Sequence, residues 1–155
     1  MKHFFSSLVT IPPMALTLGL AGLLPFMAGG LGVWLPVLGD WRFGLPVLVS
    51  GYAALIAAFL GGVRWGAAMQ APDAGYLSRY LLLAIMPSLL ALVTLVLPQR
   101  HALFLLLSMF IAQGAVDMLA VRRGHLVGWY APLRVLLTSI VSLCLLSMLL
   151  HNFLR

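Results

Sequence analysis

Asp117 is a carboxylate in the middle of a long apolar run, and it is the acidic residue that no loop can accommodate. The other two acids, Asp40 and Asp73, fall in short polar connections, and the chain has no glutamate. Arg64 is enclosed in the same way, in Gly61-Gly62-Val63-Arg64-Trp65-Gly66, and Arg134 sits just inside another apolar run. Charges in hydrocarbon are costly, so they pair with one another or line a polar cavity. A carboxylate set against two guanidiniums can tie helices together as a structural ion pair, with the long arginines partly snorkelling to the interface. Alternatively, the surplus positive charge can grip an anionic head group, carboxylate or phosphate, in a pocket open to one leaflet. A proton relay through Asp117 needs a second titratable group deeper in the membrane, and the sequence places none there.

Gln113 lies one turn from Asp117 on the same helix face and can extend the network with an amide. Trp65, next to Arg64, either belongs to the interfacial aromatic belt with Trp34, Trp41, Tyr80, Trp129 and Tyr130 or walls a pocket beside the guanidinium. Enzymatic chemistry has little support. The sequence contains no GxSxG, HExxH or phosphate-loop motif, and interior serines such as Ser88, Ser108, Ser139 and Ser142 have no base beside them and read as backbone-bonded helix residues. His3, His101, His125 and His151 sit near span ends without a carboxylate or cysteine at ligand spacing, so no metal or other cofactor is expected. Cys144 is the single cysteine, which excludes an internal disulfide.

These side chains have to be positioned by membrane helices. The chain is 63% hydrophobic and only 8% charged, where a soluble domain carries roughly 25% charged residues. Apolar runs of the length that an α-helix needs to cross a hydrocarbon core about 30 Å thick predict an all-α integral membrane protein. The expected architecture is one transmembrane domain over 1–155, a bundle of five spans at about 12–38, 44–69, 79–97, 101–121 and 131–151. Pro12-Pro13 start the first span, and Pro25 with Gly29, Gly30 and Gly32 predict a kink in it. Gly39–Arg42 reads as a turn, 70–78 as a loop with Pro72 and Asp73, and Pro98-Gln99-Arg100 as a tight hairpin. The start Met1-Lys2-His3 reads as an uncleaved first helix, because its apolar stretch is longer than a signal peptide's.

The net charge of +6 comes from basic residues scattered at span ends, so it reads as topogenic and no nucleic acid is expected as a partner. With the N-terminus in the cytoplasm, Lys2, Arg64, Arg79, Arg122, Arg123 and Arg134 lie on or near that side and Arg42, Arg100 and Arg155 on the other. This predicts a multi-pass protein of the bacterial inner membrane with the N-terminus cytoplasmic and the C-terminus periplasmic. In that arrangement Arg64, Asp117 and Arg134 share one level, roughly 5–8 Å inside the cytoplasmic ends of their helices. Ala54, Ala58, Gly62 and Gly66, with Gly61 beside them, make a smooth stripe for close helix approach, echoed by Ala15, Gly19 and Gly22. It serves either packing of the first two spans or a homo-oligomer seam.

The segments Tyr52–Gly66, Met86–Ala91 and Trp129–Thr138 resemble a family of small membrane proteins of unknown function, found in proteobacteria and, as transmembrane protein 69, in mitochondria. The resemblance runs from the first span to the last and is most specific at Phe59-Leu60-Gly61-Gly62-Val63-Arg64-Trp65-Gly66, where the family often carries His in place of Arg64. It implies a membrane bundle of about five helices and supplies no activity. The expected function is therefore a binding or accessory protein for membrane lipids, a quinone-like ligand or a larger membrane complex, with its polar layer near the cytoplasmic face. The alternative is a small transporter or channel subunit for an anionic or protonated solute, which should show discontinuous helices around a midplane cavity.

Overall fold

The computed structural model describes the backbone of residues 10–70 and 74–154, and the side chains of all of these except 74–77. The expectations for Lys2, His3, Pro72, Asp73 and Arg155 lie outside the described residues. Every regular element among the described residues is helical: α1 (Pro13–Ala21), α2 (Leu24–Gly32), a 3-10 turn (Pro36–Leu38), α3 (Trp41–Ala68), α4 (Ala74–Thr94), α5 (Gln99–Arg122) and α6 (Tyr130–Leu154). Four stretches are long and apolar enough to cross a membrane: Pro13–Gly32, which is α1 with α2, and α3, α5 and α6. The apolar part of α4, Ser78–Thr94, is shorter.

The first span differs from expectation in where it ends. It breaks at Gly22-Leu23, just before Pro25 as expected, while the helix continues through Gly29, Gly30 and Gly32. Pro25 has no N–H to offer the carbonyl of Ala21 and its ring crowds that carbonyl, so the disruption falls on the preceding turn. The Tyr52 hydroxyl donates to the Gly22 carbonyl at the break (3.0 Å). The helix stops at Gly32 rather than Leu38, because Pro36 drives Leu35 into extended backbone (φ −93°, ψ 105°). Trp41 then opens α3, three residues earlier than its apolar run suggests. At the expected hairpin Pro98 precedes the first residue of α5, and Gln99 Nε2 donates to the Pro46 carbonyl (3.0 Å) and to Ser50 Oγ (2.8 Å) of α3.

In hydrocarbon, helices are held by close packing rather than by expulsion of water, so small residues decide which faces meet. The glycine cluster of α2 does this work: a Cβ on Gly30 would lie 3.0 Å from Cys144 Cα of α6, and one on Gly29 would run into Val49 of α3. Gly19 of α1 faces Leu137 and Leu133 of α6, not the second span. On α3 the close approach to α4 is at Gly61, where a Cβ would strike the Ala84 carbonyl. The stripe Ala54, Ala58, Gly62, Gly66 is not one packed face. Residues four apart turn by about 40° around a helix, so the stripe winds from buried Ala54 to Gly62 and Gly66, beside which there is open space. The central layer joins the elements through Phe26, Leu103, Leu106, Phe110, Leu145 and Met148, all at most 1% exposed. Phe26 meets Phe110 edge-on with ring centroids 5.8 Å apart.

Candidate functional site

Arg64, Asp117 and Arg134 each stand about one turn from the same end of the bundle, where α3 and α5 finish and α6 starts. Helix geometry alone brings them to one level, and the packing of α3, α5 and α6 brings them into contact. Arg64 Nε donates to Asp117 Oδ1 at 2.7 Å, and Arg134 Nε donates to Asp117 Oδ2 at 2.7 Å. Each carboxylate oxygen thus carries its own guanidinium. Arg64 Nη2 also donates to the main-chain carbonyl of Gln113 at 3.0 Å. Exposure is 0% for Asp117, 3% for Arg134 and 8% for Arg64. Two guanidiniums and one carboxylate leave one positive charge in this layer, and such a charge in a low-dielectric setting favours an anionic neighbour.

The structure places the remaining sequence-derived residues differently from one another. Gln113 is buried at 4% exposure, and neither Nε2 nor Oε1 of its amide has a hydrogen-bond partner in the protein. Gln113 therefore joins the trio through its backbone, not through the amide. Trp65 is 42% exposed and lines neither of the clefts around Arg64. Ser142 departs from its expected role: its Oγ is buried and unpartnered, whereas Ser108 Oγ does donate to the Phe104 carbonyl (2.9 Å).

Two clefts adjoin at Arg64. α4 leans on α3 much more than on α5, and the resulting gap between α4 and α5 is floored by Arg64. The first cleft, about 220 Å³, is lined by Arg64, Tyr80, Arg123 and His125 together with Leu83, Val116 and Leu119. Tyr80 and His125 meet there, hydroxyl to Nδ1 at 3.5 Å and rings edge-on at 5.5 Å. The second cleft, about 310 Å³, runs between α4 and α5 past Leu83, Met86, Leu90, Leu105 and Met109, with Arg64 and Gln113 at its polar end. Pro87 also lines it, and, lacking an N–H, it offers no hydrogen bond to the carbonyl of Leu83. Both clefts are walled mainly by apolar side chains, and they share Arg64, Leu83 and Val116. Tyr80, Arg123 and His125 also line this site, though nothing in their sequence spacing marks them as partners of Arg64. Their one visible signal was clustering of cationic and aromatic residues at the same helix ends as the trio.

Long apolar helices carrying outward-facing side chains such as Leu55, Phe59 and Leu143, each at least 66% exposed, define an all-helical, multi-pass membrane protein. Residues 11–150 match DUF3429, a family described as protein of unknown function, and the chain belongs to that family. It is also similar to Transmembrane protein 69 of Xenopus tropicalis, with 39% identity over 69 residues. That stretch covers 44% of this chain and only 26% of the relative's length. No solved structure matches the chain.

Proposed function

We propose that this protein is a membrane-embedded binding protein that receives an anionic amphiphile through the α4–α5 gap and holds its head group at Arg64. In this reading all five apolar segments cross the bacterial inner membrane, with the N-terminus cytoplasmic and the polar layer on the cytoplasmic side, as the distribution of Lys and Arg favours. The observation that supports it is that Arg64 lines both clefts, with Arg123 and His125 beside it in the first and apolar side chains over most of each wall. A phosphate or carboxylate head group would offset the positive charge left over by the Arg64–Asp117–Arg134 network, while an acyl or isoprenoid chain would fill the apolar channel. The ligand reaches such a site sideways from the bilayer and needs no aqueous path. A transporter reading has less support. At the α1–α2 break the Gly22 carbonyl accepts from Tyr52, and Phe26, Phe110, Leu145 and Met148 of the central layer are fully buried.

Native mass spectrometry after gentle extraction tests this. Wild type should retain an anionic lipid, and Arg64→Gln should lose it by about 10- to 100-fold, the loss expected for a hydrogen bond to a charged group. Arg123→Gln removes a cationic group of the cleft that is exposed and lies outside the Asp117 network, so it should weaken retention while leaving the bundle intact. Equal lipid occupancy in wild type and Arg123→Gln, together with equal occupancy in any folded Arg64→Gln, would refute the assignment.

A further inference from the structure

The second cleft holds a polar group that neither the ion-pair network nor the apolar wall accounts for. Gln113 lines this cleft together with Arg64, and Nε2 and Oε1 of its amide are both buried without a hydrogen-bond partner. Among the described residues, the other side chains with a bare buried polar atom are Arg42, Tyr130, Arg134, Thr138 and Ser142, and they line neither cleft. Gln113 alone of this group borders a space, about 310 Å³, in which a partner can sit. The Arg64 guanidinium touches the same residue, since Nη2 donates to the Gln113 carbonyl (3.0 Å) while Nε serves Asp117. Gln113 stands one turn, about 6 Å, further from the bundle end than Asp117, and the cleft continues from it past Met109, Leu105 and Leu90. A head group held at Arg64 would therefore meet the Gln113 amide where its apolar chain begins.

A primary amide needs two kinds of partner, acceptors for Nε2 and a donor for Oε1. Leaving both sides unmade in a buried setting is costly, and nearly all buried polar groups are paired. A water needs several polar partners of its own, which the largely apolar wall of this cleft does not offer. A phosphate or carboxylate supplies acceptors alone, and so do the ester carbonyls of a diacyl lipid. Either would take Nε2 and leave Oε1 bare. We infer, on the reading that the clefts receive an anionic amphiphile, that Gln113 selects which one: a ligand with a hydrogen-bond donor, an amide N–H or a hydroxyl, within a few atoms of its anionic group. The donor goes to Gln113 Oε1, the anionic oxygen accepts from Arg64, and Nε2 donates to a neighbouring oxygen of the ligand. The terminal torsion of a glutamine is broad, so the amide can turn to face the ligand without moving α5. Amide-linked and hydroxylated acyl chains fit this description, whereas a plain diacyl phosphate enters the same cleft and is held more weakly.

Probes matched in everything but the donor test this. The full chain in mild detergent is offered N-palmitoylglycine against O-palmitoylglycolate, in which an ester oxygen replaces the amide N–H. A second competition sets a β-hydroxy fatty acid against the plain fatty acid of the same length. Native mass spectrometry reads the occupancy. Wild type should prefer the donor-bearing member of at least one pair by about 3- to 10-fold, the net effect of one hydrogen bond, and the pair that shows the preference identifies the donor as amide or hydroxyl. Gln113→Met keeps the length of the side chain and removes both amide atoms, so it should bind the two members of each pair equally. Because the amide is unpartnered in the empty protein, Gln113→Met should also melt no lower than wild type when no amphiphile is present. Equal occupancy within both pairs in wild type would overturn the inference, as would a preference that survives in Gln113→Met or a clear loss of stability in the empty variant. Probes retained without preference and lost in folded Arg64→Gln would leave the amphiphile reading standing and remove only the donor. Retention of none of the four by wild type would overturn both.

Discussion

Replacing Asp117 by Asn tests the energetic role of the charged layer most sharply. The carboxylate takes one guanidinium on each oxygen, at 2.7 Å in both cases, and is fully buried. Asn keeps one acceptor and loses the charge, so at most one arginine retains its hydrogen bond and neither retains its counter-ion. Removing one partner of a buried pair costs about 3–5 kcal/mol, because the remaining charge is stranded. At roughly 2–4 °C per kcal/mol for a chain of this size, the melting temperature should drop by about 6–20 °C. Intrinsic tryptophan fluorescence during heating in mild detergent would read it. The charge balance adds a second arm. Asp117→Asn raises the buried charge of the layer by one, and adding Arg134→Gln restores the original value, so the double variant should melt above Asp117→Asn alone. A single variant within about 2 °C of wild type, with no recovery in the double, would refute the view that the layer is held by charge pairing.

Two adjacent glycines should respond in opposite ways. Gly61→Ala forces α3 away from the Ala84 carbonyl and should cost about 1–3 kcal/mol in thermal unfolding, whereas Gly62→Ala enters open space and should be neutral or stabilising by up to about 1 kcal/mol. Ser147→Ala should cost about 1–2 kcal/mol and shift the tryptophan emission, because Ser147 Oγ accepts from Trp34 Nε1 (2.8 Å) and donates to the Gly30 carbonyl (2.7 Å). Gln99→Ala should cost about 1 kcal/mol by the same unfolding assay, since its amide links the start of α5 to Pro46 and Ser50 of α3.

The helical class and the level shared by Arg64, Asp117 and Arg134 were legible because both depend on quantities local to the sequence: the length of apolar runs and the distance of a charge from a run's end. The lateral gap between α4 and α5 was not, because it depends on how far α4 leans toward α3, which follows from a close approach at Gly61 and Ala84. The break in the first span was legible from Pro25 and not from the glycines expected to share it. Proline acts on the turn before it, and the conspicuous glycines nearby serve packing against Val49 and Cys144 instead. Within the chain the small-residue stripe is buried at Ala54 and open at Gly62 and Gly66, because a four-residue repeat drifts around the helix. The polar stripe Tyr130, Arg134, Thr138, Ser142 was present in the sequence at helical spacing. Only the structure shows that Arg134 meets Asp117 and that Thr138 lies against Gly114.

In the proposed function an anionic amphiphile lies in the α4–α5 gap with its head at Arg64. An anionic phospholipid carrying a photoreactive acyl chain, incorporated into vesicles with the full-length protein, tests this directly. Crosslinks should concentrate on Leu83, Met86, Leu90, Leu105 and Met109, and should weaken in Arg123→Gln and be largely lost in folded Arg64→Gln. Labelling spread evenly over outward-facing residues such as Leu55, Phe59 and Leu143, with no change in either variant, would contradict it.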